Sequence, residues 1–339
     1  MKARTLGHPD LKVSVLGFGG WPMGGTQYGA TRDDQEVDAI HAALDAGITL
    51  FDTAAGYGLG HSEELMGRAL NGHWADVVVV TKCGIVFDHD ANVFRRDSRG
   101  ATITAACVDS LRRLGADHID VFLIHWPDFD TPIEETMRAM EQLVETGKVR
   151  FVGVSNFSPD LLDQARAVFP IVTDQVGYHL LDRRREADVI PYCRASGVGI
   201  MAYGSLAHGV LSGAFGPETT FAETDWRHAG YAFGLPLFHP DHFSANLEAV
   251  ESLRPLADSA GLSLPQLAIR WVLREPAVAT ALVGFRNAEE VRSGVAAIEA
   301  EVPNELLERA SAITKPAYER MGRDELPFER IGPRRRVES

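Results

Sequence analysis

Eight short apolar runs separated by helical patterns most limit what this chain can fold into. The runs cover residues 11–16, 48–51, 77–81, 119–124, 149–154, 172–176, 198–202 and 279–283. Most are apolar on both faces, as parallel strands are when helices cover both sides of a sheet. The spacing between them predicts helices with readable starts. Asp33 with Glu36, and Thr131 with Glu134, have the form of capping boxes, with Pro132 at a first helical position. Ser158-Pro159 opens a further helix, and Ser263 with Gln266 another. Ile133, Met137, Met140 and Val144 then place one apolar stripe along a helix.

Eight alternations of this kind point to the α/β class and a closed (β/α)8 TIM barrel rather than an open sheet. The expected additions are an N-terminal β-hairpin (2–6 with 11–15), a long segment at about 204–244 at the C-terminal rim, and a tail over about 316–339 in extended form. No linker or repeat divides the chain, so residues 1–339 are expected to form one domain.

Composition narrows the function classes. Lys and Arg total 33 against 47 Asp and Glu, a formal charge of −14. Such a surface repels phosphate backbones and anionic lipid, so neither nucleic acid nor membrane is an expected partner. Cys83, Cys107 and Cys193 show no pairing pattern, which suits a reducing, cytoplasmic setting. No apolar run approaches the ~18 residues of a membrane span, and the first ten residues lack the apolar core of a signal peptide. No metal-ligand spacing occurs. Pro22 stands where a GxGxxG fingerprint starting at Gly17 needs its last glycine, and Val210 replaces the lysine that a P-loop from Gly204 to Gly209 would need.

Four residues carry the chemistry. Asp52 follows the second run, Lys82 the third and His125 the fourth, while Tyr57 lies in the loop after the second. In a parallel barrel the strand C-termini share one rim, and active sites sit there. A free phenol, with a pKa of ~10, is a weak acid at neutral pH. A lysine ammonium within ~4–6 Å is expected to lower that value by ~1–3 units. A carboxylate would hold the lysine, and a histidine could position a carbonyl oxygen beside the phenol. The competing structural readings are a buried Asp52–Lys82 ion pair and a satisfied core histidine at 125.

The segments FDTAAGYGLGHSEELMGRAL, IDVFLIHWPD, GKVRFVGVSNF and VGFRNAEEVRSGVAA together resemble the aldo-keto reductase family over almost the whole chain. The resemblance implies NAD(P)H-dependent reduction of aldehydes or ketones, or oxidation of the corresponding alcohols or sugars, with Tyr57 as general acid and base. Asp52 and Lys82 would tune Tyr57, and His125 would orient the carbonyl. Ser155, Asn156 and Gln175 would hold the nicotinamide carboxamide, and Tyr203 would stack on the ring. Gly204, Ser205, Leu206, Gly209 and Leu211 would wrap the pyrophosphate. Gly284 and Arg286 would reach the adenosine ribose and a 2′-phosphate, with Glu290 nearby.

Many relatives read G-x-R-N-P-E-Q-x-x-x-N in that last segment. Here Ala288, Glu290 and Gly294 replace the proline, glutamine and asparagine. Arg286 makes NADP(H) the expected cofactor, and the charge on Glu290 keeps NAD(H) as the alternative. Trp21 and Trp126 are expected pocket walls, joined by Phe221, Trp226, Tyr231 and Phe233 from a lid-like segment. A nicotinamide-binding regulatory subunit, resembling channel β-subunits, is the second functional reading. A barrel hydrolase or isomerase without nicotinamide is the third. Oligomeric state is left open.

Overall fold

The computed structural model describes residues 1–25, 28, 31–326 and 332–334. Eight parallel strands close into a barrel. They are β1 (Leu16–Gly19), β2 (Leu50–Asp52), β3 (Val78–Cys83), β4 (Ile119–Ile124), β5 (Val149–Ser155), β6 (Thr173–Gly177), β7 (Gly199–Tyr203) and β8 (Val278–Val283). Neighbours in sequence are neighbours in the barrel, and β8 pairs with β1 to close it. The helices are α1 (Asp33–Asp45), α2 (His61–Ala69), α3 (Gly100–Leu114), α4 (Ile133–Glu145), α5 (Pro159–Arg166), α6 (Val189–Ser196), α7 (Pro240–Glu251), α8 (Arg254–Ser259), α9 (Leu264–Leu273), α10 (Ala288–Glu299) and α11 (Asn304–Met321). This is the (β/α)8 architecture expected from the alternating pattern. Among the described residues no helix is long and apolar enough to cross a membrane.

The first strand differs from its expected position. The 11–16 run is divided: Lys12–Ser14 pairs with Ala3–Thr5 in a hairpin, and β1 lies inside the glycine-rich stretch that follows. Glycine hides strand propensity, yet the barrel needs it here. A Cβ on Gly17 would lie 2.7 Å from the Leu282 side chain and 2.9 Å from that of Leu50.

The hairpin plugs the N-terminal end of the barrel. Leu6, Leu11 and Val13 join Leu50, Val80, Val121, Leu123, Val172, Met201, Ala279 and Leu282 in one inner cluster. Gly7 lies against the Val172 carbonyl and Leu6 against Gly199, where β6 and β7 begin. Arg4 donates to the main-chain oxygens of Leu273, Glu275 and Val278, which ties the plug to the entry of β8.

Two additions surround the open end. A second hairpin, Ile85–Asp88 with Val93–Arg96, follows β3 and was not foreseen from the pattern. The tail is not extended from residue 316, because α11 runs to Met321 and contains Pro316. Further on, Arg96 N–H donates to the Arg334 carbonyl and Arg334 N–H to that of Phe94, so residues 332–334 dock on this hairpin. The rest of the expected tail, 327–331 and 335–339, lies outside the described residues.

Candidate active site

Three successive strand ends deliver Asp52, Lys82 and His125 to one rim, as the spacing requires. Lys82 and Asp52 are almost fully buried. The Lys82 ammonium donates to Asp52 Oδ2 at 2.8 Å, to the Thr53 carbonyl at 2.8 Å and to the Tyr57 hydroxyl at 3.1 Å. All three of its protons are therefore directed at oxygens, and one of these is the phenol. Tyr57 meets His125 edge to face with ring centroids 5.8 Å apart.

A tight turn holds Tyr57 in place. Tyr57–Gly60 forms a 3₁₀ turn in which Gly58 takes φ 60°. A Cβ on Gly58 would stand 2.4 Å from the Gly24 carbonyl, so the turn closes directly on the loop after β1. That loop carries Trp21, whose ring stacks on Tyr57 at 6.0 Å and 20°.

Burial governs the proton affinities. It pushes Asp52 up and Lys82 down, each against the pull of the other. It holds the Tyr57 phenol well above its ordinary value, with the Asp52 charge adding to the effect. The expected lowering of Tyr57 by Lys82 is thus reversed, because loss of solvent outweighs one shared ammonium. His125 is held well below its ordinary value by burial and then by Lys82, so it is a neutral imidazole. At neutral pH the site presents a protonated phenol and a neutral ring.

Further round the rim a polar chain continues. Gln175 Nε2 donates to Asp52 Oδ1 at 2.7 Å. The Ser155 hydroxyl donates to the Gln175 carbonyl at 2.8 Å. Asn156 Nδ2 donates to the Ser155 hydroxyl at 3.0 Å, and the Tyr203 hydroxyl donates to Asn156 Oδ1 at 2.9 Å. Asn156 takes φ 63°, a conformation asparagine tolerates better than most residues.

These residues open onto one cavity of about 880 Å³. Trp21, Tyr57, His125 and Trp126 line one part of it, and Gly284, Arg286 and Glu290 another. Gly204, Ser205, Leu206 and Gly209 also face it. Leu211 does not: the turn over Ala207–Ser212 directs it into the core, where it is fully buried. Arg286 is held by Glu290, whose two oxygens accept from its guanidinium at 3.1 Å and its main-chain N–H at 2.9 Å.

The glycine that replaces asparagine at 294 has a local cause, and Gly204 is confined in the same way. At Gly294 a Cβ would press on the Phe285 ring at 2.8 Å, and at Gly204 (φ 68°) it would meet the His208 ring at 3.0 Å. The lid-like segment supplies Trp226, stacked on Trp21 at 5.2 Å, and Phe233, stacked on Trp126 at 6.0 Å and edge-on to Tyr203 at 5.0 Å. Tyr231 also lines the cavity. Phe221 packs away from it, against Phe215, Phe238 and Phe243.

Several wall residues were missed. Tyr28 stands edge-on to Trp21, and His208 packs on Trp21, Trp226 and Phe233. Val93 and Phe94 come from the second hairpin, and residues 332–334 from the docked tail. The alternation in IVFD and VFRR on either side of a polar turn was the readable signal for that hairpin. Nothing in the sequence marked His208.

The aldo/keto reductase family profile matches residues 15–315. Aldo-keto reductase YhdN of Bacillus subtilis (strain 168) is 39% identical over 290 residues, 85% of this chain and 86% of that one. The NADH-specific methylglyoxal reductase of Escherichia coli (strain K12) is 31% identical over 312 residues, 88% of this chain and 94% of that one. Among solved structures, the glycerol dehydrogenase AKR11B4 from Gluconobacter oxydans is similar with a TM-score of 0.83 at 38% identity, covering 93% of this chain and 95% of that one.

Proposed function

The chain belongs to the aldo/keto reductase family and is therefore an oxidoreductase, and from that premise we propose that it interconverts small aldehydes or ketones and their alcohols with a nicotinamide nucleotide, using Tyr57 as general acid and base. The observation that carries this reading is the Lys82 ammonium, held between the Asp52 carboxylate and the Tyr57 hydroxyl at the wall of the cavity.

The donor set suits a nicotinamide dinucleotide. The amides of Asn156 and Gln175 and the Tyr203 ring would hold the nicotinamide end. Ser205 and the main chain around Gly204–Gly209 would face the diphosphate, and Arg286 the adenosine end. When bound, the nucleotide supplies or accepts the hydride at the substrate carbon.

The protein handles the oxygen. Neutral His125 can donate one N–H to the carbonyl and hold it beside Tyr57. Tyr57 keeps its proton in the resting site because burial disfavours phenolate. As the oxygen gains charge, Tyr57 gives up that proton, and the Lys82 ammonium stabilises the phenolate left behind. Alcohol oxidation runs the same transfer backwards. Trp21, Trp126, Trp226 and Phe233 shield the oxygen from water.

Two relatives bear names that point to glycerol and methylglyoxal, both three-carbon compounds with adjacent oxygens. A small carbonyl bearing a neighbouring oxygen is accordingly the proposed substrate class. NADP(H) is the proposed cofactor through Arg286. NAD(H) is the second choice, because Glu290 already pairs with that arginine and one relative is named as NADH-specific.

The test begins with fluorescence titrations of NADPH and NADH, followed by a panel of small carbonyls. Tyr57→Phe should then lower reduction by about 10²–10⁴-fold with cofactor affinity nearly unchanged. Near-normal turnover in that variant would remove Tyr57 from the chemistry.

A further inference from the structure

The hydrogen bond from Gln175 to Asp52 spans the barrel. Strands β2 and β6 are four steps apart in either direction round an eight-stranded ring, so they stand opposite each other. Asp52 and Gln175 nevertheless meet at 2.7 Å. Both are more than nine-tenths buried.

The orientation of the Gln175 amide follows from its partner. A carboxylate only accepts, so the side facing Asp52 must be the NH₂ group. The carbonyl oxygen Oε1 then points away, and Gln175 lines the cavity. Among the described residues no hydrogen bond reaches that oxygen, nor is it a buried orphan. The backbone beneath is fixed, since the Gln175 carbonyl accepts from both the Ser155 hydroxyl and the Asn156 N–H.

The Asp52 carboxylate is divided between two partners. Oδ1 is held by Gln175, and Oδ2 by the ammonium that also touches Tyr57. Resting on the function proposed above, we propose that Gln175 is a positioning residue that links the cofactor's carboxamide to the proton donor: Oε1 accepts from the carboxamide N–H, while Nε2 keeps Asp52 charged and aimed at Lys82. Each hydrogen bond in such a chain polarises the next. A bound carboxamide thereby strengthens the Gln175–Asp52 bond, disperses the Asp52 charge and so favours phenolate at Tyr57.

Gln175 is among the groups that lower the Asp52 proton affinity against its burial. Without that bond the Asp52 charge is less dispersed, and its repulsion of a phenolate at Tyr57 grows. Tyr57 titrates at higher pH, so the rise of alcohol oxidation with pH moves to higher pH.

The test compares the full-length enzyme with Gln175→Met, which keeps the volume and removes the amide. Two readouts are used: binding of the nicotinamide nucleotide against its 3-acetylpyridine analogue, a neutral ring that lacks the amide N–H, and the pH profile of alcohol oxidation. Wild type should bind the amide form more tightly, and Gln175→Met should lose that discrimination. The same variant should move the pH limb up by about one unit, a tenfold rate loss at a fixed pH on the limb.

A residue that merely contacts the cofactor would change binding and leave the limb in place. A purely structural residue would lower melting temperature and weaken both analogues equally. Either result overturns the link. A wild-type chain that binds no nicotinamide nucleotide would overturn the functional reading itself, and this link with it.

Discussion

Glu290 decides how much of Arg286 is available to a ligand. Both its carboxylate oxygens are engaged with Arg286, one on the guanidinium and one on the main chain. A 2′-phosphate must compete with that carboxylate and suffer its charge, whereas a bare ribose hydroxyl need not. Glu290→Gln keeps an acceptor for the main-chain N–H and removes the charge. It should tighten NADPH by up to about fivefold and leave NADH almost unchanged, an advantage that fades with added salt. Titrations showing equal changes for both nucleotides would mean that Arg286 does not meet the 2′-phosphate. Tyr57 teaches a related lesson about single residues. Proximity to Lys82 argued for an acidified phenol, but a phenol buried this deeply keeps its proton until charge develops beside it.

At the scale of elements, the turn that carries Tyr57 is the most exacting piece. Gly58 combines φ 60° with direct contact to Gly24. Gly58→Ala should cost about 1–3 kcal/mol of stability and displace Tyr57 from Lys82. Calorimetry with turnover assays would check this, and a variant with unchanged melting temperature and rate would show the turn to be tolerant.

Helix starts show what a sequence can and cannot disclose. Ser263 and Gln266 form the reciprocal cap that their spacing predicts, and Ser158 caps its helix. Asp33 and Thr131 do not cap. Asp33 lies inside α1 and bonds His61, while Thr131 donates to Asp128. A serine with proline in the first helical turn leaves little alternative, but a carboxylate or threonine near other polar groups is drawn to whichever partner the tertiary structure supplies. The strand ends bearing Asp52, Lys82 and His125 were legible because strand polarity alone sends them to one rim. The walls were less so. Tyr28, His208 and residues 332–334 reach the cavity through loops whose paths depend on distant packing, and β1 lay concealed among glycines.

For the molecule as a whole, acid and base act on stability through a few buried groups. Asp174 on β6 is fully buried, and among the described residues neither carboxylate oxygen has a well-formed hydrogen bond, although the main chains of Asn156 and Phe157 lie near enough to favour its charge weakly. Burial raises it to about 8, against the weaker pull of Arg185. The folded chain therefore retains a proton that the unfolded chain releases from about pH 4 upward, so this group costs stability as pH rises. Asp174→Asn should change stability little at pH 4 and raise it by more than about 1 kcal/mol at pH 8. Equal shifts at the two pH values would show that the carboxyl is not protonated in the native fold.

The hairpin beneath the barrel has a consequence for traffic. With Leu6, Leu11 and Val13 stopping one end, the rim serves as the doorway among the described residues. In the proposed reaction two reactants of unequal size share that doorway; Tyr203 ends β7 at the rim, whereas Trp21 and Trp226 stack on each other beyond the strand ends. The larger molecule is expected to arrive before the smaller and to leave after it, an order that product-inhibition kinetics would check. Order of arrival is then imposed by the shape of the vessel, and the pace of turnover by the last departure.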